Sequence, residues 1–181
     1  METLGAATEA EMVAEFVRAE RDSPRQGARQ AAAAERLRTD DPVQLLAATR
    51  GYPDQYLFTG FPRNTTWRRV LLLRAEVADI RLYPFEEWKD YTRGTRRADE
   101  LARELREGTM ADQALCESTA RIAELYERGE PIPPIIVATD GRSLACIEGN
   151  TRLTSYLRSK AAYPLPALLG ESREMGRWKF F

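Results

Sequence analysis

The sequence predicts an α+β protein, a small mixed sheet with packed helices, preceded by an N-terminal helical extension. Three observations predict it. Apolar residues recur at helical spacing early in the chain, as at Met12, Val13, Phe16 and Val17. Short apolar runs of strand length, Val70-Leu71-Leu72-Leu73 and Ile135-Ile136-Val137-Ala138, belong to the second half. Between the latter run and Leu144-Ala145-Cys146-Ile147 stands Asp140-Gly141, the strongest two-residue hairpin signal. The 181 residues, 43% hydrophobic and 30% charged, suffice for a core without disulfides or a metal. They suit one domain with an appendage, or two small ones.

In chain order, Thr8 to Ala19 forms an amphipathic helix, broken at Asp22-Ser23-Pro24 because the residue before a proline disfavours helix. Gln26 to Leu37, rich in Ala and Arg, continues as helix. Asp41 caps and Pro42 opens a short helix through Ala48, which Gly51 stops. The glycines, prolines and aromatics from Gly51 to Pro62 suit a packed connector, since flexible linkers are poor in aromatics. Residues 1–65 are thus a helical extension docked onto the rest.

Residues 66–170 hold the sheet. Val70 to Leu73 is a strand, and Ala78 to Leu82 alternates as a second one that Pro84 ends. Phe85 to Tyr91 makes a helical turn. Helices follow over Ala98 to Arg106, with Leu101 and Leu105 on one face, and over Met110 to Arg128, with Gly129 as the residue beyond its end. After the hairpin, a helix runs from Arg152 to Lys160. Tyr163 to Leu169 is a strand interrupted by prolines, hence an edge strand. The tail, residues 171–181, ends Trp178-Lys179-Phe180-Phe181 and docks on the core.

Composition excludes several chemistries. The chain has no histidine, which removes a Ser-His-Asp triad, an HNH-type nuclease, histidine metal sites and a histidine general base. Proton transfer must then fall to a carboxylate, Lys, Tyr, Cys or water. A metal would be held by oxygens, with Mg²⁺ the leading candidate, and no protein metal site is assigned. Cys116 and Cys146 match no zinc or redox spacing and read as buried small hydrophobes. The net charge of −1 argues against nucleic-acid binding through an overall field, leaving only a local basic patch. Lacking a long apolar run and a signal-peptide pattern, the chain is expected to be cytoplasmic with no membrane partner.

The chemistry concentrates in Glu148-Gly149-Asn150-Thr151-Arg152, which leads from a strand into a helix. A helix N-terminus offers unpaired N–H groups and partial positive charge to a phosphate. Gly149 permits a sharp turn, Asn150 and Thr151 either cap the helix or bond a phosphate oxygen, and Arg152 is a bidentate phosphate donor. Glu148 either activates a nucleophile or binds Mg²⁺, or else pairs with Arg152. Leu153, Tyr156 and Leu157 anchor the helix. Further along, Arg93-Gly94-Thr95-Arg96-Arg97 is a basic loop that contacts phosphates or simply balances Asp99 and Glu100.

This constellation resembles the ParB/sulfiredoxin superfamily, whose Gly-x-x-Arg turn after a strand pair grips nucleotide phosphates. Gly149 and Arg152 fit that spacing, Ile132 to Val137 matches the preceding strand, and Val77 to Pro84 looks like the opening strand. The resemblance spans residues 71–170 or so. It implies a phosphate- or nucleotide-binding protein of that fold, as an NTP-dependent phosphotransferase or NTP hydrolase, with Mg²⁺ and a nucleoside triphosphate. Gly149, Asn150, Thr151 and Arg152 would hold phosphates, Glu148 or Asp79 would supply the carboxylate, and Arg96 or Arg97 would close over the charge. The chain departs from sulfiredoxin, which has a Cys-His pair in this turn, and from partitioning ParB proteins, which have a second arginine where Thr151 stands. The alternatives are a ParB-like nucleic-acid-binding or nuclease protein and a non-catalytic interaction module.

Overall fold

The computed structural model describes residues 1–23 and 26–181. The apolar stripe at Met12, Val13, Phe16 and Val17 becomes the buried face of α1 (Glu9–Arg21), entered through a capping box between Thr8 and Glu11. The expected break after α1 begins at Asp22, while Pro24 lies outside the described residues. α2 (Gly27–Leu37) follows, then α3 (Pro42–Arg50), with Asp41 as its cap and Gly51 in the left-handed conformation that ends it.

The sheet draws on the whole chain. Its order is β1-β2-β5-β3-β4, where β1 is Glu2–Ala7, β2 Thr66–Leu72, β3 Ile135–Thr139, β4 Leu144–Glu148 and β5 Leu165–Glu171. β3 and β5 run parallel, and the other neighbours are antiparallel, so the sheet is mixed. β1 has no counterpart in the sequence reading. It has no alternating pattern, and it is held by backbone pairing to β2 and by Arg69, whose Nη1 donates to Ala6 O at 2.6 Å. Leu4 is the extra residue of a bulge in that pairing.

Three other expectations are corrected. Ala78 to Leu82, and with it the opening strand expected over Val77 to Pro84, is not a strand: α4 (Arg74–Ala78) occupies its start, and Arg81 makes isolated bridges to Ala145 beside β4 and to Arg97. β5 is central rather than an edge, because Pro166 lies one residue before the pairing with β3 begins and so removes no donor from that ladder. The hairpin loop is Asp140 to Ser143, not two residues, since Asp140 Oδ1 accepts the N–H groups of both Arg142 and Ser143 at 2.8 Å.

Helices cover both faces. α5 (Glu86–Tyr91), α6 (Ala98–Glu107), α7 (Gln113–Glu127) and α8 (Asn150–Arg158) complete the set. One core places Val70, Leu72, Val137, Cys146 and Leu169 against Leu101, Leu105, Leu153 and Tyr156. The other places Trp67, Ile136, Ala138, Ile147 and Leu168 against Met12, Phe16, Leu45, Leu46, Phe58 and Trp178. Alternate residues of β2, β3, β4 and β5 thus feed opposite cores, and β3, buried along its whole length, reads as a continuous apolar run. The tail closes the second core, where Trp178 Nε1 donates to Leu57 O at 2.8 Å. Cys146 is fully buried as expected, but Cys116 is only half-buried.

Candidate functional site

β4 ends at Glu148 and α8 begins at Asn150, two residues before the predicted start. Gly149 between them has φ of 104°, and a Cβ there would lie 2.8 Å from Ile135 Cγ2, so the turn requires glycine. Gly149 is therefore the residue at the helix cap, and Asn150 is not. Asn150 is buried, and its Oδ1 accepts the Tyr83 N–H at 3.1 Å, which pins the 81–83 segment beside β4. Thr151 is half-exposed in the first turn of α8, where N–H groups have no intrahelical acceptor.

Arg152 is used by the protein itself. Nη1 donates to the carbonyls of Pro133 and Pro134 at 3.0 Å each, and Nη2 to Glu148 Oε1 at 2.9 Å. Only 11% of its side chain is exposed, so the guanidinium faces inward. Glu148 differs: 24% of its side chain remains open, although protein crowds the carboxyl enough for burial to be the chief influence on it. Burial pushes the carboxyl up, Arg152 opposes that, Glu20 adds to it, and Arg50 and the Gly149 amide pull it back, leaving a net upward shift.

Glu20 and Arg50 are functional candidates that sequence reasoning missed. They form a buried ion pair joining the ends of α1 and α3, with Arg50 Nε donating to Glu20 Oε1 at 2.5 Å. Gln30 of α2 donates to Glu20 and to Thr49 Oγ1. A signal was present: Glu20 lies four residues beyond Phe16 and Arg50 four beyond Leu46, each continuing an apolar stripe where charge belongs only if paired. The junction thus brings together two ion pairs, Glu148–Arg152 and Glu20–Arg50.

The remaining predicted residues lie elsewhere. Arg96, at φ of 62°, clamps the tail: Nε donates to Leu82 O at 2.8 Å, Nη2 to Phe180 O at 2.9 Å and Nη1 to Phe181 O at 3.2 Å. Arg97 pairs with Asp99 at 2.9 Å and with Asp79 at 3.7 Å. Asp79 and Arg97 line a groove of about 400 Å³ with Arg81, Arg142 and Leu144, at the start of β4. Glu148 stands at the other end of that strand, roughly 13 Å away at about 3.3 Å per residue. Asp79 and Glu148 therefore do not share one site.

Among the described residues no three Cys, Asp or Glu side chains converge as a metal site, and no helix is long and apolar enough to cross a membrane. Compared with protein-family models, with curated proteins and with solved structures, the chain matches none.

Proposed function

We infer that the chain binds a phosphate-bearing ligand of the nucleotide class at the N-terminal end of α8, with Glu148 as the group that accepts a proton, in the manner of ParB/sulfiredoxin-type domains. The observation that carries this is Glu148, which stands two residues before the first turn of α8, keeps 24% of its side chain exposed, and has its carboxyl held above the ordinary value by burial. First-turn N–H groups and the helix dipole favour an anion there. An upward-shifted carboxyl is a better proton acceptor at neutral pH than an ordinary one. An acceptor hydroxyl in phosphoryl transfer, or a water in NTP hydrolysis, would give its proton to Glu148 as its oxygen bonds to the γ-phosphorus, the β–γ bridging bond breaks and the nucleoside diphosphate leaves.

Arg152 serves as a positioning residue, because its guanidinium fixes Glu148 relative to the Pro133–Pro134 backbone. Glu148 provides a single carboxylate, which fits a Mg²⁺ that arrives on nucleotide phosphates and keeps most of its water. A nucleic-acid reading draws less support: Arg68 and Arg69 are paired with Glu171 and Glu11.

Thermal unfolding with ATP, GTP, CTP and ADP, with and without Mg²⁺, tests the reading. A ligand at a hundred times its Kd should stabilise the protein by about 2.7 kcal/mol. Thr151→Glu should lower that shift, since it adds a negative charge at the half-exposed first turn, where acidic residues otherwise favour the helix. Absence of any shift, or an equal shift in Thr151→Glu, would refute the site.

A further inference from the structure

We propose that the groove at the start of β4 is a second anion site, separate from the α8 junction, that takes the phosphoryl group of a small phosphorylated molecule. Arg81, Arg97 and Arg142 reach it from three separate parts of the chain, together with Thr95 and Ser143. Among the described residues, the side chains of Arg81 and Arg142 have no hydrogen-bonding or ion-pair partner, unlike Arg68, Arg69, Arg74, Arg96 and Arg152. With Arg97 they make three guanidinium groups against two carboxylates, Glu76 and Asp79, so the groove's lining is net positive in a chain whose net charge is −1. Arg81 also acts on Arg96: burial and the nearby Arg81 charge both lower the Arg96 pKa.

The backbone beneath these side chains is fixed, which distinguishes the groove from scattered surface arginines. Arg81 N donates to Leu144 O at 2.9 Å, and Arg81 O accepts from Cys146 N at 2.8 Å. Arg142 follows the Asp140 turn, whose carboxylate holds its N–H at 2.8 Å. Arg97 follows Arg96, one of two non-glycine residues in the 93–96 loop with positive φ, a conformation that costs free energy and is held by the Arg96 clamp. A phosphoryl group matches planar guanidinium donors, which bind its oxygens in pairs. At about 400 Å³ the groove is within the usual range for a small ligand.

Two carboxylates also line it. Glu76 is turned back onto the Leu73 N–H at 2.8 Å and the Met1 amino group at 2.6 Å. Asp79 faces Arg97 at 3.7 Å and opposes an incoming anion. This gives the proposal a sign: Asp79→Asn removes a negative charge from the groove while Arg97 keeps its two bonds to Asp99.

The test is titration of the full chain with inorganic pyrophosphate, followed by amide NMR shifts and calorimetry. Shifts should centre on residues 79–81, 95–97 and 141–144. Arg81→Gln with Arg142→Gln should weaken binding at least tenfold, Asp79→Asn should strengthen it several-fold, and Thr151→Glu should leave it unchanged. ADP binding tighter than pyrophosphate at the same amides would mark a nucleotide as the source of the phosphoryl group; equal binding would mark a simpler phosphate. Shifts confined to residues 149–152, or binding unchanged in the double variant and in Asp79→Asn, would overturn the proposal. So would duplex DNA binding with a steep salt dependence while pyrophosphate moves no amide.

Discussion

Arg152 joins three chain segments through one side chain, and that makes it the residue whose loss should cost most at the junction. Arg152→Ala removes the bonds to Pro133, Pro134 and Glu148 together. Breaking a buried pair by deleting one member costs about 3–5 kcal/mol, and the lower end is expected because Glu148 can take up a proton. Urea denaturation at neutral pH measures it. Arg152→Lys should recover little, since one ammonium does not replace a planar fork; full recovery would show that charge alone matters. Glu148→Gln has a pH signature. Its carboxyl is held above its ordinary value of 4.5, with burial the main cause. Below that value it is neutral both folded and unfolded, and its contribution to stability is fully present. The contribution is lost as pH rises through the folded value, because ionising the crowded carboxyl then penalises the folded state. Glutamine has no such loss, so the variant should gain on the wild type between acid and neutral pH. A wild-type advantage that grows with pH would show instead that attraction to Arg152 outweighs burial.

At the scale of elements, α8 depends on packing more than on its cap, because Gly149 offers no side-chain bond there. Leu153 is fully buried in the first core, and Leu153→Ala should cost about 2–5 kcal/mol in chemical denaturation; a loss below that range would mean that the site collapses around the missing methyls. Elements with an apolar stripe were legible in the chain: α1, α6, α7 and α8 lie close to where their spacing put them. β1 was not, because backbone pairing to β2 leaves no periodic mark in Glu-Thr-Leu-Gly-Ala-Ala. The alternation from Ala78 to Leu82 misled for the opposite reason: Ile80 and Leu82 are both buried, but in irregular backbone on either side of the Arg81 bridge rather than in a strand. The site divides in the same way. Glu148 to Arg152 is contiguous and therefore visible, whereas the arrival of Glu20 and Arg50, and the distance between Asp79 and Glu148, depend on tertiary packing.

At the scale of the whole molecule, the two cores share every central strand, so neither can melt and leave the sheet intact. Trp67 and Trp178 report on one core and Trp88 on the other. A variant with Trp88→Phe and another with both Trp67→Phe and Trp178→Phe should each unfold with coincident fluorescence and far-ultraviolet dichroism. Separated transitions would mean that the N-terminal helices and tail unfold as an independent unit. The Arg96 clamp on Phe180 and Phe181 ties the tail to the Leu82 segment, extending the shared structure to the last residues.

The order of strands also bears on how the chain is born. β5 follows every other strand in sequence yet lies between β2 and β3. As the ribosome adds about 5–20 residues per second, β1 with β2 and β3 with β4 emerge as two separate ladders. Until residues 165–171 arrive, each presents a bare edge that another chain could occupy. The interval between making Glu148 and making Glu171 is therefore when a nascent copy is most open to pairing with its neighbours on the same messenger.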